Sequence, residues 1–312
     1  MRNTTFVISG GAGRVVTAIP ALEKYHRLNP QDDFKVLVHG WIDLFWSHPL
    51  LQQRSFEANA KGTFDLHIKD NNVVEPEPYT LYSFYNQQAN LIEAFDELIN
   101  DTADHRDLDT PNLYISNFEQ QQTQEIFDQI RAENPNKKVV IFQPYGSSVK
   151  FMNGEPFDDT SRSLSHQHYM QISEALQDIA VIVYASAKQF MSNDDRNIPI
   201  NNWNPYFRVL PAFVKHCDYF LGVDSCGQHI AYAMDKPGSV IMGGTVDRNY
   251  TYPQYFNIIR KEGSRPVYNP IRLSNGDGEF VNRLNQNTMD FSQQEISQII
   301  EFVRDQIINI QK

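Results

Sequence analysis

Short apolar, β-branched runs alternate along this chain with longer segments whose apolar positions recur every three to four residues. That is the pattern of strands interleaved with amphipathic helices. Thr5 to Ser9 (TFVIS) reads as a strand breaking into Gly10-Gly11-Ala12-Gly13, after which Val15, Val16, Ile19, Leu22 and Tyr25 mark one face of a helix. Phe34 to His39 (FKVLVH) predicts a second strand ending at Gly40-Trp41, and the alternation of Phe64 to Lys69 (FDLHIK) a third. Asn71 to Tyr85 is irregular and rich in Pro and Tyr. Gln87 to Asn100 and Glu119 to Glu133 read as helices, with Tyr114-Ile115-Ser116 as a short strand between them. The polar, turn-rich stretch Asn134 to Lys138 is the expected interdomain linker.

The second half restarts the pattern. Val139 to Phe142 (VVIF) predicts a strand ending in Gln143-Pro144-Tyr145-Gly146-Ser147-Ser148, followed by a long polar loop to Ser165. A helix from His166 to Gln177, a strand from Ile179 to Ala185 and a helix from Pro205 to His216 come next. Tyr219 to Val223 is an apolar run of the buried-strand type. It opens into Asp224-Ser225-Cys226-Gly227 and a helical segment with Gln228 and His229. Past Pro237-Gly238 a second apolar run, Ser239 to Met242, ends in Gly243-Gly244-Thr245. From Ser292 to Lys312 a terminal helix carries a capping-box spacing (Ser292, Glu295) and one stripe of Ile and Val. Two successive β/α halves make the simplest architecture.

Composition narrows the function classes. The chain has 312 residues, 41% hydrophobic and 12% aromatic, enough for two cored domains. A formal net charge of −11 argues against broad attachment to nucleic acid or anionic membrane. The two cysteines, Cys217 and Cys226, are too few for a disulfide framework and are not spaced as metal pairs. With no apolar run long enough for a bilayer span and no secretory pattern at Met1 to Thr5, the expectation is a cytoplasmic protein without membrane insertion.

Candidate chemistry gathers where predicted strands end. Parallel sheets bind ligands at their carboxyl edge, and glycine turns and helix starts there present N–H groups to anions. Tyr219 to Thr245 holds two such turns side by side. Gly10 to Gly13 is a third, although Val16 at the last position breaks a full dinucleotide fingerprint. Against these stand structural readings: tight turns for the glycines, a packed helix histidine for His229, core packing for Tyr79, Tyr82, Phe84 and Tyr85. His166 and His168 diverge at a helix start and do not suggest a metal site. Asp158-Asp159 reads as a solvated loop, so no metal is expected.

In these blocks the chain resembles glycosyltransferase family 9, the group of lipopolysaccharide heptosyltransferases. GGAGRVVTAIPALEKYHRLNP is similar to the family's first glycine loop and "PAL" helix, and DFKVLVHGWIDLFWSHPLL to its second strand and following segment. VVIFQPYGSS is similar to the loop opening its second domain, and LGVDSCGQHIAYAMDKPGSVIMGGT to its most specific motif. The resemblance implies an α/β fold of GT-B type, with two facing Rossmann-like domains of parallel sheets. It implies an acceptor domain over 1–136, a nucleotide-sugar donor domain over 137–290, and a terminal helix over 291–312 packing back on the first domain. It also implies transfer of a sugar from a nucleoside diphosphate sugar to an acceptor hydroxyl, inverting and independent of metal or other cofactors.

The residues implied for the donor are Gly11, Gly13, Ser147, Arg162, Asp224, Ser225, Gly227, His229, Gly243, Gly244 and Thr245. Arg162 is the best match for the family's basic residue, Lys150 a weaker one. One departure matters for catalysis. The family's catalytic Asp follows the first glycine loop, where this chain has Arg14, and a guanidinium does not accept a proton. Arg14 is open to three readings: a phosphate contact, a solvated helix-start residue, or the mark of a non-catalytic nucleotide-sugar-binding protein. Asp43 and His39 are then the nearest candidates for a base. The acceptor class stays open between a glycan, a lipopolysaccharide-type glycan and, as in a phage enzyme, a modified base in DNA.

Overall fold

In the computed structural model, residues 3–152, 155–158, 160–185, 198–199, 208–265, 271–272, 279–280 and 287–310 are described. β1 (Thr4–Ile8) leads through the glycine loop into α1 (Ala12–Leu28), then β2 (Lys35–Val38), β3 (Ser55–Glu57) and β4 (Asn72–Val74). All four pair in parallel in the order β3-β2-β1-β4. The short helix α2 (Tyr82–Tyr85) precedes α3 (Leu91–Asn100), which starts on a capping box between Asn90 and Glu93 and packs on α1. Phe6, Val15, Ile19, Leu22, Phe34 and Phe95 form the buried interior of this unit.

α4 (Asn117–Glu133) and β5 (Lys138–Gln143) open the second unit. A hairpin of β6 (Lys150–Met152) and β7 (Glu155–Phe157) interrupts the expected polar loop, and α5 (His166–Leu176) follows. Then come β8 (Ala180–Tyr184), β9 (Ile198–Pro199), α6 (Val209–His216), β10 (Tyr219–Val223), α7 (Cys226–Ala233), β11 (Gly238–Ile241), α8 (Asp247–Tyr250), β12 (Asn257–Ile259) and α9 (Gln293–Ile308). The sheet is parallel in the order β12-β11-β10-β5-β8-β9. Counted within its own unit, each sheet follows the doubly wound pattern, in which the winding reverses beside the first strand. That reversal lies between β1 and β4 in one sheet and between β5 and β10 in the other.

Several expectations are corrected. The FDLHIK segment is a π-helical turn, Phe64–Ile68, entered through Gly62 at φ +88° and closed by the Lys69 N–H on the Phe64 carbonyl at 2.8 Å. Its alternation matched a strand, but Ser55–Glu57 already pairs with β2, and Phe64 and Leu66 are exposed. Ser116 belongs to no strand: its Oγ accepts from the Glu119 N–H (3.2 Å) and caps α4.

The compact units are Met1–Ile115 with Pro270–Val281, and Ser116–Asn269 with Asn282–Lys312. The division therefore falls before α4, not at 136/137, because Phe127 packs edge-on against Phe213 and Arg131 bonds the His216 carbonyl at 2.9 Å. Asn134 to Lys138 is then the turn between α4 and β5. The terminal helix packs within the second unit: Ile296, Ile299, Val303 and Ile307 join the cluster of Tyr169, Ile172 and Leu176, and Arg304 bonds the Ala175 carbonyl. The expected helix start at Pro205 and the end at Lys312 lie outside the described residues, as does Asp159.

Candidate functional site

At the reversal point of the second sheet, the end of β5 meets the start of α7. Gln143, buried at the last position of β5, donates from Nε2 to Ser225 Oγ (3.2 Å) and accepts from the Gly227 N–H at Oε1 (3.0 Å). A Cβ at Gly227 would lie 2.0 Å from that oxygen, so only glycine lets the amide enter. The α7 start, expected to hold an anion through Ser225 and Gly227, is thus occupied by a side chain of the protein itself.

Asp224 is buried, and both its oxygens are engaged: Oδ1 accepts from Gln228 Nε2 (3.0 Å) and Oδ2 from Thr245 Oγ1 (2.7 Å). Burial pushes its carboxyl pKa up, opposed by the Arg162 guanidinium 3.9 Å away. Arg162 donates to Thr160 Oγ1 (2.9 Å) and Ser148 Oγ (2.8 Å). Asp158 holds the neighbouring loop, accepting from Ser163 Oγ (2.6 Å) and the Thr160 N–H (2.9 Å), while Ser163 in turn accepts from the Gly146 N–H (2.9 Å). Asp158 thus shapes this edge through specific bonds, where a solvated loop was expected. Ser147 is exposed beside this network, and Lys150 is exposed on β6.

The Gly243-Gly244 turn follows from steric need. A Cβ at Gly243 would sit 2.0 Å from the Ser161 carbonyl, which already accepts from the Gly244 N–H at 2.9 Å. Arg260, just past β12, donates to the Gly243 carbonyl (2.6 Å), the Thr245 carbonyl and Asp247. It fixes the turn from behind. His229 is a packed helix histidine. Its Nδ1 lies 2.8 Å from Tyr252 Oη, and burial pushes its pKa down to about 3, so it is neutral and away from the polar edge.

At the reversal point of the first sheet, Arg14 is 4% exposed and its guanidinium pairs with Glu77 at 2.9 Å, also bonding the Pro76 carbonyl at 3.2 Å. Its Cδ would be only 2.7 Å from a Cβ at Gly10, which takes φ +102°. Arg14 is therefore neither a solvated helix-start residue nor aimed outward at a phosphate. The residue following the glycine loop is locked in a buried ion pair across the sheet edge. Gly11 is exposed in open space and its carbonyl accepts from the Arg14 N–H (2.9 Å), while Gly13 accepts from Thr17 Oγ1 (2.9 Å). His39 is exposed at the end of β2, and Asp43 is half-buried in the turn Ile42–Phe45.

The second edge thus gathers Ser148, Arg162, Asp224, Ser225 and Thr245 into one bonded network, and leaves His229 outside it. Sequence reasoning missed Glu77, Gln143, Ser161 and Arg260. None of them had a local signal, because each acts on a partner distant in sequence. Among the described residues no group of three or more His, Cys, Asp or Glu is arranged to hold a metal ion, and no helix is long and apolar enough to cross a membrane.

No family model and no curated protein sequence matches the chain. Solved structures do. The glycosyl transferase family 9 protein from Veillonella parvula DSM 2008 aligns with TM-score 0.59 at 10% identity, over 83% of this chain and 85% of its own. E. coli heptosyltransferase WaaC with ADP aligns with TM-score 0.56 at 13% identity, over 98% of this chain and 99% of its own. The iron-containing dodecameric glycosyltransferase TibC from enterotoxigenic E. coli H10407 aligns with TM-score 0.59 at 9% identity, over 98% of this chain and 76% of its own. Both doubly wound units are covered by these alignments, and the chain has the GT-B fold shared by solved family 9 glycosyltransferases and lipopolysaccharide heptosyltransferases.

Proposed function

We propose that the protein is a glycosyltransferase taking a sugar from a nucleoside diphosphate donor held at the carboxyl edge of its second sheet. The observation that carries this reading is Arg162. A partly exposed guanidinium is held by Thr160 and Ser148 at the reversal point of a doubly wound sheet, where anionic ligands bind. Departure of a diphosphate needs its developing charge stabilised, and Arg162 with the exposed Ser147 loop supplies that without a metal. The acceptor belongs to the first unit, and the transfer inverts the sugar carbon. ADP and ADP-heptose are the first donors to test, because structural neighbours are described with ADP and with ADP-D-beta-D-heptose.

A second reading, a nucleotide-sugar-binding protein without transfer activity, is favoured by the Arg14–Glu77 pair, which puts a locked cation where the family has its base. A thermal-shift panel of nucleoside diphosphates and their sugars tests both. At least one should stabilise the protein, and its effect should be smaller in Arg162→Ala; no stabilisation of the native chain by any of them would sink both readings. Release of free nucleoside diphosphate from the stabilising donor then separates transferase from binding protein.

A further inference from the structure

The hairpin of β6 and β7 stands between β5 and α5, and both of its roots reach one guanidinium. Ser148, two residues before Lys150, accepts from Arg162 Nη2 at 2.8 Å. Asp158, the residue after Phe157, reaches Arg162 through Thr160. Its Oδ1 accepts from the Thr160 N–H (2.9 Å) and from the Thr160 hydroxyl, and Thr160 Oγ1 accepts from Arg162 Nε (2.9 Å). The pairing of Lys150 with Phe157 ties the two roots together, and Phe151 packs edge-on to Tyr145 at 5.7 Å. These groups meet at one spot. A Cβ at Gly146 would lie 3.4 Å from Asp158 Oδ2, 3.5 Å from Arg162 Cβ and 3.7 Å from the Asp224 carbonyl.

Asp158 sets the polarity of this cluster. A hydroxyl has one proton to give, and a carboxylate only accepts. With the Thr160 proton committed to Asp158 Oδ1, the Thr160 lone pairs face the Arg162 Nε–H. The Ser163 proton goes to Asp158 Oδ2 (2.6 Å), so Ser163 Oγ accepts from the Gly146 N–H (2.9 Å). One carboxylate thus orients two hydroxyls, one holding the guanidinium and the other the turn after β5. Fixing Nε and Nη2 fixes the plane of Arg162, and a fork oriented in advance meets phosphate oxygens without first ordering a long side chain. By charge alone a carboxylate beside an anion site would repel a diphosphate.

We propose that Asp158 is a positioning residue for the donor diphosphate, acting through Thr160 to hold Arg162 in its binding orientation. It rests on the donor reading for what Arg162 binds. Calorimetric titration of the full chain with ADP and UDP tests it through the sign of the effect. Asp158→Ala removes a negative charge, which would strengthen binding if the carboxylate acted by charge, yet affinity should fall about three- to tenfold, as for one lost hydrogen bond. Thr160→Val keeps the side-chain shape, should weaken binding similarly, and carries the test if Asp158→Ala does not fold. Thr160→Ser, which keeps the hydroxyl, should bind as the native chain does. In an Arg162→Ala background Asp158→Ala should cause no further loss. Unchanged or tighter binding in both Asp158→Ala and Thr160→Val, or an equal loss with and without Arg162, would overturn the proposal. A second measurement needs no nucleotide. Solvent exchange of the Arg162 Nε–H, followed by nitrogen NMR and assigned by its loss in Arg162→Ala, should quicken about fivefold or more in Thr160→Val. Quickened exchange with no nucleotide binding to the native chain would sink the donor reading while the hold of Asp158 on Arg162 stood. Unchanged exchange would overturn the proposal even where a nucleotide binds.

Discussion

The two sheets share one winding pattern and solve the same problem at its reversal point in opposite ways. In the first unit the point is closed by charge: Arg14 and Glu77, at 4% and 3% side-chain exposure, face each other across β1 and β4. In the second a neutral amide closes the helix start, Gln143 bridging Ser225 and Gly227, while the buried Asp224 is held by Gln228 and Thr245 with the Arg162 guanidinium 3.9 Å away. A buried ion pair is stable only as a pair, since each desolvated charge depends on the other. A neutral amide bridge costs less to break, and the Arg162 guanidinium beside it is 17% exposed where that of Arg14 is 4%. On the proposed reading the first cation is structural and the second meets the donor diphosphate.

The sharpest way to break this comparison is to remove one charge from each edge. Glu77→Ala strands Arg14 in the interior and should destabilise the first unit by about 3–5 kcal/mol, read by urea unfolding. The double replacement Arg14→Met with Glu77→Leu should recover most of that loss. If Glu77→Ala costs no more than a surface substitution, Arg14 is not locked. Arg162→Ala should cost less stability than Glu77→Ala, because Asp224 keeps its bonds to Gln228 and Thr245 and burial already favours its protonated form. The affinity for a nucleoside diphosphate should fall by roughly ten- to a hundredfold in calorimetric titration, as expected for a charge-assisted hydrogen bond to phosphate.

How much of this was legible in the chain follows from which signals are local. Periodicity located the strands that lead into the three glycine turns (β1, β10 and β11) and the Ser292–Glu295 cap, because each depends on neighbours in sequence, but it missed the flanking strands β4 and β12. FDLHIK failed because alternation describes a surface-exposed π-turn as well as a strand, and the pairing of Ser55–Glu57 on β2 decided between them. The Arg14–Glu77 pair spans 63 residues and Gln143–Gly227 spans 84, so neither has any local pattern. Of the glycines read as anion donors, Gly227 and Gly244 have their N–H groups engaged in the fold, by the Gln143 amide and the Ser161 carbonyl. Arg162 was singled out by the resemblance, as the best match for the family's basic residue, and by no local pattern of its own.

Acid should separate the two edges further. His229 behind the second edge is neutral in the fold, its pKa pushed down to about 3 by burial, while the unfolded chain titrates near 6.5. The unfolded state therefore binds the extra proton. This contribution is fully present above about pH 6.5 and is lost as pH falls towards 3, at about 1.4 kcal/mol per pH unit. By pH 5 the second unit should have lost about 2 kcal/mol through this residue. His229→Gln should flatten the pH dependence of urea stability by about one proton, with His168 and His216, also pushed down by burial, still contributing. An unchanged slope would mean that His229 is charged or solvated in the fold.

The smallest effect falls on the neutral closure itself. Gln143→Ala removes three hydrogen bonds, the one to Cys226 Sγ at 3.9 Å being weak, and leaves the Gly227 N–H and Ser225 Oγ without the amide. Had the groups stranded been charged, the cost would match that of Glu77→Ala. They are neutral, and Ser225 is 7% exposed, so water entering the vacated volume can satisfy them in part. The expected loss is about 1 kcal/mol in urea unfolding. Gly227→Ala should cost more than Gln143→Ala, because its methyl would collide with the Gln143 oxygen in an otherwise intact network, and the combination should cost less than Gly227→Ala alone. Additive losses would show that the amide does not occupy the helix start.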